Sequence, residues 1–523
     1  MSGNISRRSV LIGGAAAAGV LSGVLGHRVS QAAPTGLPNP FTLGVASGDP
    51  SADGVVLWTR LAPQPLAEDG MGGMPNRVVR VDWEVAADEG FRTIVQRGTA
   101  DAAPELGHSV HVELAGLRPG AEYFYRFRTE GHLSPAGRTR TAPAPGALDG
   151  LELTMCFVSC SQYEHGYFTA YRRLAEDHPD LVLHLGDYIY EYKAGDYQVP
   201  GGNPRDHAGP ETETLANYRQ RHAQYKTDPD LQAAHAIAPW APVFDDHELD
   251  NNWANMVPER PERPQPNFAA RRAAAFQAYY ENMPLRASAR PRATTIQLYR
   301  RIHWGALATF HMLDTRQYRD DQACGDGLKT CPERRAANRT IVGADQERWL
   351  LDGFRESRAR WDLLGQQVFF AQLDVQPGPG ETNNMDAWDG YAANRDRVVR
   401  GWVDAKVRNP VVLTGDVHTA WAADIKQRWE DPASPIVGSE LVATSITSGG
   451  DGSEFRGDTE IIRLENPHIR YFNNRRGYVR TRMTADRMHA DFRAVPYVSR
   501  PGAPVQTKAS FVIEDRRPGL HPA

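Results

Sequence analysis

The chain has 523 residues, of which 41% are hydrophobic and 24% are charged, a globular composition in a chain too long for one ordinary domain. Its 59 basic residues are balanced by 64 acidic ones, which leaves a formal net charge of -5. This balance gives no electrostatic reason to expect a stable nucleic-acid partner or binding to an anionic membrane. It leaves open a small anionic substrate, which requires only local positive charge.

Residues 1–32 have the pattern of an export signal. The pair Arg7-Arg8 precedes an apolar run rich in small residues, 12–25, and Ser30 to Ala32 offer a cleavage site. A membrane anchor is the alternative, but the run has only about 14 residues and a span needs about 20. The sequence therefore predicts export by the twin-arginine machinery to the periplasm or the medium, with no membrane span in the mature chain.

Residues 33–145 are predicted to form an all-β domain. Turn-forming pairs such as Asp49-Pro50 and Pro119-Gly120 separate short alternating apolar runs. These runs are 55–58, 78–85, 108–114 and 123–128. Strands at this spacing indicate a small β-sandwich, and the Pro-rich segment 141–146 is predicted to be a linker.

From residue 151 the pattern changes to that of an α/β domain, predicted over 150–523. The apolar run 151–159 predicts a strand, the spacing of Tyr167, Tyr171 and Leu174 predicts a helix over 166–177, and 180–185 predicts a second strand. Strand, helix and strand in this order form a unit with parallel strands. Further strands are predicted at 241–244, 302–313, 368–373 and 411–414, and helices at 268–282 and 346–357.

Ligand-type side chains follow four of these predicted strands. In chain order the four clusters are Ser159-Cys160-Ser161-Gln162, Gly186-Asp187-Tyr188-Ile189-Tyr190, Asp245-Asp246-His247-Glu248 and Gly415-Asp416-Val417-His418. Sites in open α/β sheets form beyond the carboxyl ends of the strands. Each cluster alone has a simpler explanation, since Gly-Asp is often a turn and a buried cysteine is often inert. Four clusters at four strand ends predict one shared site.

The ligand types predict an iron site. Cys160 offers a thiolate, Tyr190 a phenolate and His418 an imidazole. A phenol with an ordinary pKa near ~10 ionises at neutral pH only beside a strong Lewis acid, which favours iron, in the ferric state.

A second, harder cation is predicted beside the iron. Asp187 is a carboxylate that can bridge two ions. The remaining oxygen ligands are Asp187, Asp246, Asn251 and Asp416. Such ligands suit calcium, or another divalent cation such as magnesium or manganese in its place.

A pair of cysteines is predicted to form a disulfide. Cys324 and Cys331 bracket a short, Gly-containing loop, and both would meet an oxidising compartment after export. Two free thiols are the alternative.

The order of the motifs resembles that of the PhoD-like alkaline phosphatases, which are metallophosphoesterases related to the purple acid phosphatases. The motif GD-x-x-Y at 186–190 is followed by DHE at 246–248 and GD-x-H at 415–418. Cys160 stands where the purple enzymes have an aspartate, and Asp246-His247 where they have Asn-His; both departures match the PhoD-like enzymes. So do the segments at 41–50, FTLGVASGDP, 313–318, LDTRQY, and 386–391, DAWDGY.

The resemblance implies a fold and a set of ligands. The fold would be an α/β four-layer metallophosphatase-like core, two β-sheets flanked by helices, with an N-terminal immunoglobulin-like β-sandwich domain. Ferric iron would be held by Cys160, Asp187, Tyr190 and His418. Calcium would be held by Asp187, by Asp246 or Asn251, and by Asp416, with Asp374 as a further ligand.

The expected activity is that of an exported alkaline phosphatase or phosphodiesterase, which hydrolyses small phosphate esters through a metal-bound hydroxide or water. His247 follows the predicted ligand Asp246 directly, so its side chain is expected to point away from that metal and to serve the leaving group as its general acid or as a charge stabiliser. Arg316 is predicted to orient the phosphate, with an ordinary surface arginine as the alternative.

Two other functions remain open from the sequence. A phospholipase D-like or nucleotide-specific phosphodiesterase could use the same scaffold, and only substrate profiling would separate it. A non-catalytic extracellular binding protein with structural metals is the reading from another class. A purely structural site would be saturated by side chains, whereas Tyr and Cys beside a bridging carboxylate favour catalysis.

Overall fold

The computed structural model describes residues 37–262, 265 and 267–523, so the predicted export signal at 1–32 lies outside the described residues. The strands are β1 Val45–Gly48, β2 Val56–Arg60, β3 Val79–Ala86, β4 Ile94–Ala102, β5 Ser109–Glu113, β6 Glu122–Thr129, β7 His132–Leu133, β8 Gly137–Arg140, β9 Leu153–Val158, β10 Leu181–Leu185, β11 Pro239–Val243, β12 Arg300–Trp304, β13 Ala308–Met312, β14 Leu328–Lys329, β15 Trp361–Gly365, β16 Asn383–Asn384, β17 Pro410–Thr414, β18 Ala420–Lys426, β19 Ile436–Val442, β20 Gly452–Ser453, β21 Ile469–Met483, β22 Arg487–Val495, β23 Gln506–Glu514 and β24 Arg517–Pro522. The helices are α1 Thr169–Glu176, α2 Leu215–Lys226, α3 Pro229–Ile237, α4 Phe268–Asn282, α5 Gly343–Glu356, α6 Ala392–Asp404 and α7 Thr459–Glu465. No helix in this described part has the length and hydropathy that a bilayer span requires.

The first core sheet runs in the order β5-β2-β1-β11-β10-β9-β21-β22-β23-β24. Its centre is parallel, because β1, β11, β10 and β9 pair in the same direction. Every residue of β10 and β11 is buried. Continuous apolar runs of this kind are typical of parallel strands that are covered on both faces.

The second core sheet runs in the order β12-β13-β15-β17-β19-β18-β21. Val411 and Leu413 of β17 face a core shared with β9 and β10, whereas Val412 between them packs against α5 and α6. Because alternate residues of a strand point to opposite faces, this sheet lies between the first sheet and a layer of helices. Helices α1 and α3 pack against strands of the first sheet. The body is therefore a layered α/β fold.

Strand β21 belongs to both core sheets. Its first half pairs with β18, where Phe472 lies opposite Trp421. Its second half pairs with β9, where Val479 lies opposite Phe157. One continuous strand therefore ties the edge of the second sheet to the centre of the first.

The N-terminal residues form two layers, but one of them is not separate from the core. Strands β3, β4, β6, β7 and β8 make a five-stranded sheet of their own. Their apolar side chains, such as Val81 and Phe127, share a cluster with Val45 and Leu57 of β1 and β2. Because β1 also pairs with β11, this second layer continues into the first core sheet.

Most predicted strands and helices are present, and two predicted strands differ. The segment 302–313 is a hairpin of β12 and β13 instead of one strand, because Gly305 turns the chain with φ of 59°. The segment 368–373 is buried over its first four residues but is not a strand. There the amide groups of Phe370 and Ala371 donate to the buried carboxylate of Glu440, 2.8 Å in each case, instead of to a neighbouring strand.

Three buried histidines surround the ring of Tyr188. The ring centroids of His184, His222 and His235 lie 5.1, 6.0 and 5.7 Å from that of Tyr188. Burial lowers the pKa of all three imidazoles, that of His184 to about 3, and the nearby Lys226 lowers them further. All three rings are therefore neutral at neutral pH.

These rings predict a loss of stability in acid. A base whose pKa is depressed by folding stabilises the fold fully above its unfolded pKa of 6.5 and less as the pH falls below that value, by up to roughly 1.4 kcal/mol per pH unit. Neither ring nitrogen of His222 has a hydrogen-bond partner among the described residues, so His222→Phe loses no such bond. We expect the free energy of unfolding in urea to fall less between about pH 7 and about pH 5 in His222→Phe than in the unmodified protein. His178→Asn, which removes an exposed histidine, is the control, and equal losses in both variants would contradict the prediction.

Candidate metal centre

Two glycines let the strand ends of the two core sheets approach each other. Gly186 follows β10, and a Cβ there would lie 2.4 Å from the Cβ of Asp245. Gly415 follows β17, and a Cβ there would lie 2.8 Å from the Cβ of Ser159. Because a side chain fits at neither position, the ends of β9, β10, β11 and β17 meet only with glycine at both.

Four predicted ligands have left-handed backbone conformations. The φ angles of Cys160, Asp187, Asp416 and His418 are 62°, 55°, 60° and 59°. Such a conformation costs a residue other than glycine roughly 1–3 kcal/mol and concentrates at functional sites. The backbone holds this geometry, since the amide of Cys160 donates to the carbonyl of Gly186 at 3.1 Å.

The four predicted iron ligands converge. One ligand atom from each of Cys160, Asp187 and His418 lies within 4.8 Å of the others. The phenol oxygen of Tyr190 lies 2.8 Å from Asp187 Oδ2 and 3.1 Å from His418 Nε2. Ser448 Oγ lies 2.7 Å from the same phenol oxygen on the protein side.

Two further groups of ligand atoms extend this first one. Asp187, Asp246 and His247 form the second group, and Asp245, Asp246 and Asp416 form the third, each with its ligand atoms within 4.8 Å of one another. Asp187 belongs to the first and second groups, and Asp246 to the second and third. The three groups are therefore one continuous set, which we call the ligand row.

The ligand row fits cations. Burial raises the pKa of Asp187 and Asp416 well above the ordinary value, and repulsion from neighbouring carboxylates, including Asp246, raises it further. One carboxylate oxygen of each of Asp187, Asp245 and Asp246 is buried with no hydrogen-bond partner in the part of the chain that the structure describes. A buried carboxylate oxygen without a partner is costly, and a bound cation would satisfy it.

The thiol of Cys160 and the phenol of Tyr190 would need a nearby cation to ionise at neutral pH. Burial raises the pKa of Cys160 and of Tyr190 well above their ordinary values, and the charge of Asp187 adds to both. A metal ion reverses this effect, because it favours the thiolate and the phenolate. Partial burial, with the charge of Arg476, lowers the pKa of His418 to about 3, so its imidazole is neutral and able to bind metal.

His247 lies nearer to the ligand row than the sequence predicted. Its Nδ1 is 2.8 Å from Glu191 Oε2, and its Nε2 is 3.8 Å from Asp246 Oδ2. The ring does not point away from Asp246, because one of its nitrogens lies within the second group. Burial lowers the pKa of His247, but the carboxylates of Glu191, Asp246 and Asp187 outweigh burial and raise it well above the ordinary value.

The structure corrects the predicted phosphate-orienting role of Arg316. Its side chain is fully buried, which also excludes an ordinary surface arginine. Its Nε lies 2.5 Å from Asp245 Oδ1, and its two terminal nitrogens lie 2.9 and 2.8 Å from the two oxygens of Asp386. Because the guanidinium is already paired with these carboxylates, Arg316 holds Asp245 of the ligand row in place and is not free to bind a substrate phosphate.

Asn251 and Asp374 lie in different places. The backbone amide of Asn252, next to Asn251, donates to Asp246 Oδ2 at 2.8 Å, so this turn borders the ligand row. Asn251 itself donates its side-chain amide to Glu259 at 3.1 Å. Asp374 belongs to none of the groups found in the described residues, and its Oδ1 accepts from two backbone amides of its own loop, at 2.9 and 3.0 Å. The structure therefore does not support Asp374 as a ligand.

Cys324 and Cys331 are joined by a disulfide. The loop between them contacts the turn beside Asp246, because Asp326 Oδ2 accepts from Asn252 Nδ2 at 2.8 Å. The disulfide loop therefore forms part of the border of the site.

Several residues of the site were missed at the level of sequence. Glu248 Oε2 accepts from the backbone amides of Asp187 and Asp245, at 3.1 and 2.9 Å, and so fixes the turns that carry them. No role was predicted for Glu248, although it directly follows Asp246-His247 in the sequence. Glu191 and Ser448 offered no comparable signal, because their contacts join segments far apart in the chain.

Comparisons with known proteins identify the family of this chain. The family model "PhoD-like phosphatase" matches residues 155–492, and "PhoD-like phosphatase, N-terminal domain" matches residues 28–143. Alkaline phosphatase D of Bacillus subtilis (strain 168) is 52% identical over 491 residues, which are 94% of this chain and 83% of that protein.

Two solved structures are similar to this chain, one at high and one at low sequence identity. One described as "Structure of PhoD" superposes with a TM-score of 0.91 at 52% identity, over 94% of this chain and 93% of that one. A purple acid phosphatase from yellow lupin (Lupinus luteus) seeds superposes with a TM-score of 0.54 at 12% identity, over 90% of this chain and 73% of that one, and shows the fold alone. The chain belongs to the PhoD-like phosphatase family.

Proposed function

We propose that this chain is a metal-dependent phosphoric ester hydrolase, an alkaline phosphatase or phosphodiesterase that acts on small phosphate esters. The observation that carries the proposal is the ligand row, three groups joined through Asp187 and Asp246 at the strand ends. Two or more cations in such a row can hold phosphate oxygens and offset the charge of the transition state. The name of the Bacillus subtilis relative, alkaline phosphatase D, supports the same reaction class.

Ferric iron is proposed for the first group of the row, and calcium or another divalent cation for the rest. Thiolate, phenolate and imidazole in the first group suit iron. The third group offers only carboxylate oxygens, from Asp245, Asp246 and Asp416, and oxygen ligands suit calcium. Asp187, which belongs to two groups, would bridge the two kinds of ion.

The chain's own residues prepare the leaving group. Bound cations would supply Lewis-acid chemistry and lower the pKa of water beside the phosphorus. Glu191 accepts a hydrogen bond from the Nδ1–H group of His247 and so fixes the ring, which leaves the Nε2 proton for the oxygen of the departing alcohol. Arg316 and Glu248 hold the carboxylates and turns of the row in place.

Two alternative functions differ from this proposal, one in its substrate and the other in whether the metal site is open to solvent. A phospholipase D-like or nucleotide-specific phosphodiesterase would use the same groups, and profiling of monoesters and diesters separates these substrates. A non-catalytic protein with structural metals would close its sites with side chains. Here the side chain of His418 is 26% exposed, so the row is open to solvent, which favours catalysis.

Export and domain organisation are part of the same proposal. Residues 1–32 would direct the chain to the twin-arginine machinery, and the mature protein would lie in the periplasm or outside the cell. Residues 33–145 would be an immunoglobulin-like N-terminal domain, supported by the two layers of strands packed on one apolar cluster. Residues 150–523 would be the catalytic domain.

The iron assignment predicts colour. A bond between ferric iron and the Tyr190 phenolate gives a visible charge-transfer band, so the purified protein should absorb visible light and hydrolyse phosphate esters. Tyr190→Phe should lose the band, whereas the control Tyr299→Phe, a partly exposed tyrosine of another region, should keep it. A colourless, iron-free and fully active protein would contradict iron. A coloured, iron-loaded protein without any ester hydrolysis would contradict the proposed function.

The role of His247 predicts a dependence on the leaving group. General acid catalysis contributes about 10²–10⁴-fold, so His247→Ala should slow alkyl esters by a factor in this range and activated aryl esters much less. Metal content, measured in the same preparations, should stay unchanged. Loss of metal would make His247 a ligand, and equal slowing of both esters with metal retained would exclude the leaving-group role.

The export signal predicts where a variant precursor accumulates. The double variant Arg7→Lys, Arg8→Lys should remain in the cytoplasm, because a receptor recognises the arginine pair. Arg92→Lys with Arg97→Lys, which changes two exposed arginines of the mature chain, is the control and should be exported. Cell fractionation measures both, and normal export of the first variant would disprove the twin-arginine assignment.

A further inference from the structure

A series of rings extends from the ligand row along one side of the site. Tyr190 stacks on His247 with ring centroids 4.1 Å apart, and His247 meets Tyr192 edge-on at 5.4 Å. Tyr192 in turn meets Tyr197 edge-on at 5.6 Å. We call Tyr192 and Tyr197 the aromatic wall. Both residues are partly exposed, so each leaves ring surface open to solvent.

The aromatic wall is held by its backbone. The hydrogen-bond partners of the two backbone carbonyls are Arg221 and His207, each at 2.8 Å from Tyr192 O, and His165 at 3.1 Å and Asn203 at 2.9 Å from Tyr197 O. Within the described residues, these carbonyl contacts are the hydrogen bonds of both tyrosines, and neither phenol hydroxyl takes part. The wall is therefore fixed in place, while its rings and hydroxyl groups stay available to a ligand.

The position of His247 decides which part of a substrate meets the wall. In the proposed reaction a water oxygen forms the new bond to phosphorus, and the bond from phosphorus to the alcohol oxygen breaks. That oxygen takes the Nε2 proton of His247, and the proton that water loses restores the imidazolium. The alcohol oxygen must therefore lie beside His247 when it departs.

The ring of His247 has two tyrosine neighbours that differ in exposure, since Tyr190 is buried and Tyr192 is partly exposed. Tyr190, on one side of the His247 ring, belongs to the ligand row. Tyr192 lies on another side of the ring and is partly exposed. The organic group of the ester therefore meets Tyr192 first and Tyr197 beyond it.

We propose that the aromatic wall binds the departing alcohol group and favours esters of aromatic alcohols over those of aliphatic alcohols. The inference rests on the proposed function, because it uses the leaving-group role of His247. Rings prefer edge-on or offset contact with other rings, and both tyrosines of the aromatic wall are partly exposed beside His247. Tyr192 is on this basis a specificity-determining residue for the leaving group.

The test compares two monoesters on the metal-loaded protein, phenyl phosphate and a fluoroalkyl phosphate whose alcohol is of similar acidity to phenol. Matched acidity makes the need for the His247 proton similar, so the shape of the alcohol remains the main difference. Tyr192→Leu should lower kcat/KM for the phenyl ester roughly tenfold, mainly through KM, and change the fluoroalkyl ester less than about twofold. Tyr192→Phe, which keeps the ring, should retain the preference.

Further variants keep the outcome clear. Tyr197→Leu leaves the contact between Tyr192 and His247 in place and should reduce the preference by a smaller factor, which serves as the test if Tyr192→Leu does not fold. Tyr299→Leu is the control at a partly exposed tyrosine remote from His247. Equal losses for both esters in Tyr192→Leu and Tyr197→Leu would overturn the inference while leaving the proposed function intact. No hydrolysis of either ester by the unmodified protein would instead overturn the proposed function, and the inference with it.

Discussion

The close packing of four carboxylates, three of them buried and one half-buried, is the constraint on which the rest of the structure depends. Asp187, Asp245, Asp246 and Asp416 lie at the meeting point of two sheets. Among the contacts described for them, Arg316 and a protonated His247 offset only part of this charge. Buried like charges at this separation destabilise a fold unless they are protonated or neutralised. The arrangement is consistent with a protein that folds around bound cations, and the neutral thiol, phenol and imidazole of the first group share that dependence.

The fold holds this unfavourable arrangement by means of rigid strands. Each predicted ligand with a left-handed backbone lies within a few residues of the end of a buried strand in a parallel ladder, where the backbone has little freedom to relax. Gly186 and Gly415 remove the side chains that would separate the strand ends. Glu248 then fixes the turns after β10 and β11 through backbone amides. The backbone thus sets the positions of these side chains, and bound cations would balance their negative charge.

How far the sequence predicts this depends on whether a feature is local. The strands β9, β10 and β17 follow from continuous apolar runs, and the candidate ligands follow from residue types placed directly after those runs. The contacts of Arg316 did not follow, because its partners Asp245 and Asp386 lie about 70 residues away on either side. The segment 368–373 has the composition of a strand, yet a carboxylate from β19 takes its amide groups. Asp374 and the aromatic wall show the same limit, since tertiary contacts alone decide what such residues face.

Strand β21 has a consequence for the order in which the molecule can be assembled. It begins at residue 469 of 523, yet it pairs with β9, whose residues are made more than 300 positions earlier. Until β21 arrives, one side of β9 lacks its partner, and the edge of β18 stays open as well. Pairings between such distant segments slow folding, and unpaired strand edges favour aggregation. Synthesis of this chain therefore includes a long interval in which its central sheet is incomplete, and the ribosome must release nearly the whole sequence before the two sheets can close on each other.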